Sequence, residues 1–123
     1  MDMSKESNEV VLCASNAYQK KFYLNENFNG LPQSIRDELK IMCVIYTEDI
    51  GGVLELVYDE AGNLELRTSF KDGDFCYVQI GSVLKIKQLR NEKRELLEAL
   101  EMYYKVLYLG EGLEALDEEE KDE

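Results

Sequence analysis

The clearest pattern along the chain is the alternation of apolar and polar positions between residues 54 and 70. Leu54, Leu56 and Tyr58 fall on one side of an extended strand, and Leu64, Leu66 and Phe70 fall on one side of the next. Glu55, Glu65 and Arg67 face the other way, which predicts a hairpin with one wet face. Asp59-Glu60-Ala61-Gly62-Asn63 between them is a tight-turn sequence, and Lys71-Asp72-Gly73-Asp74 closes the unit. Upstream, Glu9–Ser15 and Lys20–Asn25 are short and rich in β-branched or aromatic residues, with Ser15-Asn16-Ala17 as the turn between them, and they predict a first hairpin.

Two segments change to helical spacing. Ile35, Leu39, Met42, Cys43 and Tyr46 recur at offsets of 4, 7, 8 and 11, which predicts a helix near 32–48. Pro32 or a Ser34–Asp37 capping box would start it and Gly51-Gly52 would end it. From Tyr77 to Leu109, apolar residues keep steps near 3 and 4 without a proline. The prediction is one helix of about 30 residues, or roughly 45 Å. The order ββαββα implies an α+β fold, a four-stranded antiparallel sheet with the mid-chain helix and the long carboxyl-terminal helix on one face. A helix that long outruns such a sheet, so its surplus predicts an end that projects, bends or packs on another chain.

Composition adds boundaries and exclusions. With 123 residues and 45% hydrophobic content, the chain suits one domain around one core. The net charge of −12 is concentrated: Glu111–Glu123 holds eight acids and one lysine, supplying −7 and leaving −5 elsewhere. The expected organisation is a flexible start at 1–8, a domain at 9–110 and a disordered acidic tail at 111–123. Cys13, Cys43 and Cys76 are odd in number and set among apolar neighbours, so they read as free thiols in a reducing compartment. No segment is apolar enough to span a bilayer or serve as a signal core, and the expected location is the cytoplasm. An acidic body argues against nucleic acid as a partner.

The candidate chemistry is sparse. Histidine is absent, which removes the commonest general base and metal ligand. Glu48 and Asp49, beside Gly51-Gly52, are the best-placed carboxylate pair, but solvated acids at a helix end have the same appearance. Asp72 and Asp74 bracket a glycine without the rest of a calcium loop. No catalytic residue, metal site or cofactor is therefore assigned.

Lys85, Lys87, Arg90, Lys93 and Arg94 crowd five basic residues into ten positions. Lys87, Arg90 and Arg94 share a helical face that could meet an acidic protein or neutralise nearby glutamates. With Leu97, Leu100, Tyr104 and Leu107 they form the candidate interface. The expectation is a non-enzymatic interaction or dimerisation module, possible as a homodimer or with another protein. The alternative is a ligand sensor or minor enzyme using carboxylates and tyrosines in a cleft between sheet and helix.

The stretches IMCVIYTEDIGG (41–52), IGSVLKIKQL (80–89) and LLEALEMYY (96–104) resemble those of a small family of uncharacterised domains from anaerobic Firmicutes, over most of residues 10–109. That resemblance carries no assigned activity or catalytic residue. A looser resemblance is to small acidic secretion chaperones, α+β dimers of similar size and charge, although the amino-terminal helix usual in them is missing here. It implies a chaperone-like role by analogy of fold alone.

Overall fold

The computed structural model describes residues 9–74, 77 and 79–110. The expected amino-terminal segment, the acidic tail and Cys76 lie outside the described residues. The strands are β1 (Val10–Asn16), β2 (Lys21–Leu24), β3 (Val53–Tyr58) and β4 (Leu64–Ser69). They form one antiparallel sheet in the order β2-β1-β3-β4. The helices are α1 (Gln33–Ile50), α2 (Gln79–Glu92) and α3 (Arg94–Leu107), with a single 3-10 turn at Glu26–Phe28. The architecture is α+β, as expected.

Strand alternation sorts the sheet into two faces. In register, Cys13 opposes Leu24 and Leu56, and Leu56 opposes Leu66, so these side chains share the helix-covered face. An extra residue at Leu12 shifts the register between Val11 and Cys13, and Leu12 and Cys13 are both fully buried. The other face carries Glu55, Glu65 and Arg67, and the Arg67 guanidinium binds the carboxylates of Glu65 and Glu9 at 2.8 and 2.9 Å. The turn after β3 is held by Asp59, whose carboxylate accepts the amides of Ala61 and Asn63 at 2.9 Å each. Those bonds, Asn63's foremost, hold its pKa below the usual aspartate range.

α1 begins immediately after Pro32 without a side-chain cap, so the capping box is unused. Leu39, Met42, Cys43, Tyr46, Thr47 and Ile50 form its buried face, and it lies over β1, β2 and β3. α3 covers the β4 side with Leu96, Leu97, Leu100 and Tyr104. Two polar links fix these layers: Ser15 Oγ meets Thr47 Oγ1 at 2.7 Å, and Tyr58 Oη donates to the Leu100 carbonyl at 2.8 Å.

The single long helix is corrected. It divides at Lys93, whose φ of −106° and ψ of 23° depart from α-helical geometry, while the Lys93 ammonium reaches Glu38 of α1 at 3.1 Å. Before that break α2 packs beside α1, and after it α3 packs beside β4. Each piece has 14 residues, about 21 Å, so neither outruns the domain. The length argument for association therefore falls, and the case must rest on which side chains remain uncovered.

Candidate functional site

The seven residues expected at an interface separate into two groups. Leu97, Leu100 and Tyr104 are buried in the chain's own core, so they do not present a surface. Tyr104 stacks on Tyr58 with ring centroids 4.1 Å apart, and Phe28 and Tyr108 extend the same aromatic group. Lys87, Arg90, Arg94 and Leu107 are exposed. Arg94 donates to the Asn91 side chain at 3.0 Å. Among the described residues, no ion pair joins Lys87, Arg90 or Arg94 to Glu92, Glu95 or Glu98. The fold does not bring the expected seven together as one patch.

It exposes a different apolar face. At 100° per residue, Ser82 and Leu89 project from the side of α2 that packs inward, and both are buried. Ser82 is held there by the hydroxyls of Tyr46 and Tyr77 at 2.7 and 2.8 Å. Ile80, Val83 and Leu84 project from the opposite side and are 77%, 63% and 61% exposed. Ile41 and Ile45 of α1 are also exposed and line a groove toward α2 with Lys85 and Leu89. A helix apolar on both sides normally has both sides covered. The basic residues Lys87 and Arg90 lie on the outward side of this helix.

A second feature is a cleft of about 720 Å³ between α1 and the β1–β2 hairpin. Phe22, Val44 and Ile50 give it apolar walls, and Lys20, Lys21 and Lys40 stand around it with Glu48 and Asp49. The Ser15 and Thr47 hydroxyls at its floor are engaged with each other, and Thr47 also donates to backbone carbonyls of α1. Among the described residues, no tyrosine lines this cleft. The expected combination of carboxylates and tyrosines is thus not assembled there.

The remaining candidates are locally committed. Asp74 accepts the Tyr18 hydroxyl, and the Lys71 ammonium lies 4.5 Å from the Tyr18 ring. Among the described residues, no group of three histidine, cysteine, aspartate or glutamate side chains is placed to share a metal ion. Cys13 and Cys43 are buried with their sulfurs 4.0 Å apart, bridging β1 and α1 as neighbouring thiols. The Cys43 contact, with burial, pushes the Cys13 thiol well above its ordinary range, which disfavours a reactive thiolate.

Fold and surface together define a small α+β domain with one covered sheet face and one helix left apolar on its outer side. The chain matches a family of unknown function (DUF6145) over residues 9–112 and belongs to that family. Comparison with curated proteins and with solved structures found no match. No helix among the described residues is long and apolar enough to cross a membrane.

Proposed function

We propose that this protein is a non-enzymatic interaction module that pairs with a second copy of itself through the outward face of α2. The observation that carries the proposal is the exposure of Ile80, Val83 and Leu84 on the side of the helix opposite its packed face. Full burial of such a side chain gives about 1.5–3 kcal/mol. At their observed exposure, roughly two thirds of that is recoverable, or about 1–2 kcal/mol each. Six side chains across a twofold contact give about 6–12 kcal/mol, against an association cost of about 4–15 kcal/mol. The balance describes a weak, concentration-dependent dimer.

Charge selects the orientation. A parallel pair would align Lys85, Lys87 and Arg90 with the same residues of the other copy. An antiparallel pair centred on Val83 and Leu84 turns that basic half toward the other copy's helix start, where exposed Asp72 lies in the preceding loop.

Sedimentation analysis across a wide concentration range tests the proposal. The wild-type mass should rise reversibly toward twice the monomer, and the Val83→Asp/Leu84→Asp variant should stay monomeric with unchanged melting. Monomeric wild-type protein up to about 1 mM, or equal association by the variant, would overturn it.

A further inference from the structure

We propose that Cys13 and Cys43 are a modification site, a buried dithiol that hydrogen peroxide converts to a disulfide tying β1 to α1. The two elements meet in rungs. They run in the same direction where they touch, so Cys13 contacts Cys43 and, one rung further along both, Ser15 contacts Thr47. The β-bulge at Leu12 sets the strand register from Cys13 onward, and it leaves Cys13 and Ser15 on the helix-covered side. The sulfurs are 4.0 Å apart, and both side chains are fully buried. A disulfide needs about 2.05 Å between them, so each sulfur must move by about 1 Å, which side-chain torsion supplies.

The surroundings choose the oxidant. Ser15 and Thr47 line the cleft of about 720 Å³ between α1 and the first hairpin, so one hydroxyl rung separates the sulfurs from that cleft. Hydrogen peroxide is close to water in size and in hydrogen bonding, and it can follow the polar rung inward. Oxidised glutathione would instead leave a tripeptide on one sulfur, and neither cysteine has exposed surface on which to place it. The Cys43 contact and burial hold Cys13 as the thiol, so the first step waits on a brief opening and is slow. In that step a thiolate sulfur attacks one peroxide oxygen, the O–O bond breaks, and a sulfenic acid and hydroxide form. The hydroxide takes up the proton that the thiol released. The neighbouring thiol then attacks the sulfenic sulfur, which forms the S–S bond and expels water. Two electrons pass from sulfur to oxygen, and two thiols and one peroxide become one disulfide and two waters. Because the second sulfur is already in contact, closure outpaces oxidation of the first to sulfinic acid. The closed loop contains β2 and the 3-10 turn, and closing it restricts the unfolded chain, so the oxidised form melts higher.

Peroxide treatment of the folded full chain, followed by non-reducing peptide mass mapping, tests the proposal. The dominant product should be a Cys13–Cys43 cross-link, lighter by two hydrogens and reversed by dithiothreitol, and Cys76→Ser should give the same product. Thermal unfolding followed by circular dichroism should shift upward by roughly 5 °C on oxidation. Cys43→Ser, folded by the same signal, should show no such shift. In urea, where the contact is lost, pairings that include Cys76 should appear in comparable amounts. Thiols that persist at both positions once exposed Met102 is fully converted to its sulfoxide would overturn the proposal. So would sulfinic acid in place of the cross-link, or the urea mixture of pairings in the folded chain. Equal reaction of the folded chain with oxidised glutathione would overturn the assignment of peroxide as the oxidant.

Discussion

Alkaline pH should unfold this domain through its buried tyrosines, and Tyr46 is the best place to measure the effect. Tyr46 is fully buried beneath α2, with its hydroxyl 2.7 Å from Ser82 Oγ. Burial, opposed by the Ser82 hydrogen bond and reinforced by Tyr77, pushes its pKa from 10.0 up to about 12. Tyr58, also fully buried, is raised further, chiefly by burial and then by the neighbouring Cys13. The sign follows from linkage. A raised folded-state pKa means that the folded chain keeps its proton where the unfolded chain has released it. The contribution is complete below pH 10 and is lost as pH rises through the folded-state value.

For Tyr46, two units at 1.36 kcal/mol each set an upper bound of about 2.7 kcal/mol. Tyr58 loses at least as much over the same interval, so together they remove a large part of a typical margin of about 5–15 kcal/mol. Urea unfolding followed by circular dichroism at a series of pH values, with phenolate absorbance recorded in parallel, gives both quantities. The wild type should lose stability progressively above about pH 10, with phenolate signal appearing as the fold is lost. Tyr46→Phe should flatten that slope, at a cost of about 0.5–1.5 kcal/mol at neutral pH for the lost hydrogen bond. Equal slopes in the two proteins, or titration of all eight tyrosines near pH 10 in a folded chain, would refute the reasoning.

Two further predictions concern packing. Gly52→Ala should cost at least about 2 kcal/mol in denaturant unfolding, because φ is +73° and the added Cβ would stand 2.4 Å from the Ser69 carbonyl oxygen. Gly62→Ala should cost less, since its nearest obstacle is the movable Lys105 side chain at 2.8 Å. Leu100→Ala should cost about 2–5 kcal/mol by leaving a cavity between α3 and the sheet, whereas Leu107→Ala, at a residue 60% exposed, should stay within about 0.5 kcal/mol of wild type. Equal urea midpoints for the two leucine variants would show that the division between core and surface is misplaced.

The parts of the fold that were legible are those where two signals agree. β3 was legible because Leu54, Leu56 and Tyr58 recur at every second position, and all three are fully buried. α1 was legible because an apolar stripe and a glycine stop coincide, and it extends only slightly beyond the predicted end, to Ile50. The first hairpin turn was placed too early. Asn16 remains in β1, and its side-chain oxygen instead caps the turn by accepting the amides of Tyr18 and Gln19 at 2.9 and 3.1 Å. Lys20 completes that turn with φ of +55°, a conformation for which lysine gives no local signal. The division of the long helix was hidden for a related reason. Neither glycine nor proline marks Lys93, and the Glu38 contact is visible only once α1 and α2 are packed together.

The candidate surface was misread because apolar periodicity alone does not say which stripe faces inward. Across α2, Ile80, Val83 and Leu84 share one side while Ile86 and Leu89 lie toward the other, so the two sets cancel as an amphipathic signal. In α3, Leu97, Leu100 and Tyr104 form a single stripe opposed by Glu95, Glu98 and Met102, which is the pattern of a helix closing its own core. Surplus length made α3 look like the projecting half. The more informative contrast was available within the same stretch: a helix with one apolar side is satisfied by one sheet, whereas a helix with two needs a second cover. By that criterion α2, with no strand packed on its outward side among the described residues, is the helix on which the proposed pairing rests, and the basic residues beside Val83 and Leu84 would set the orientation of that pairing.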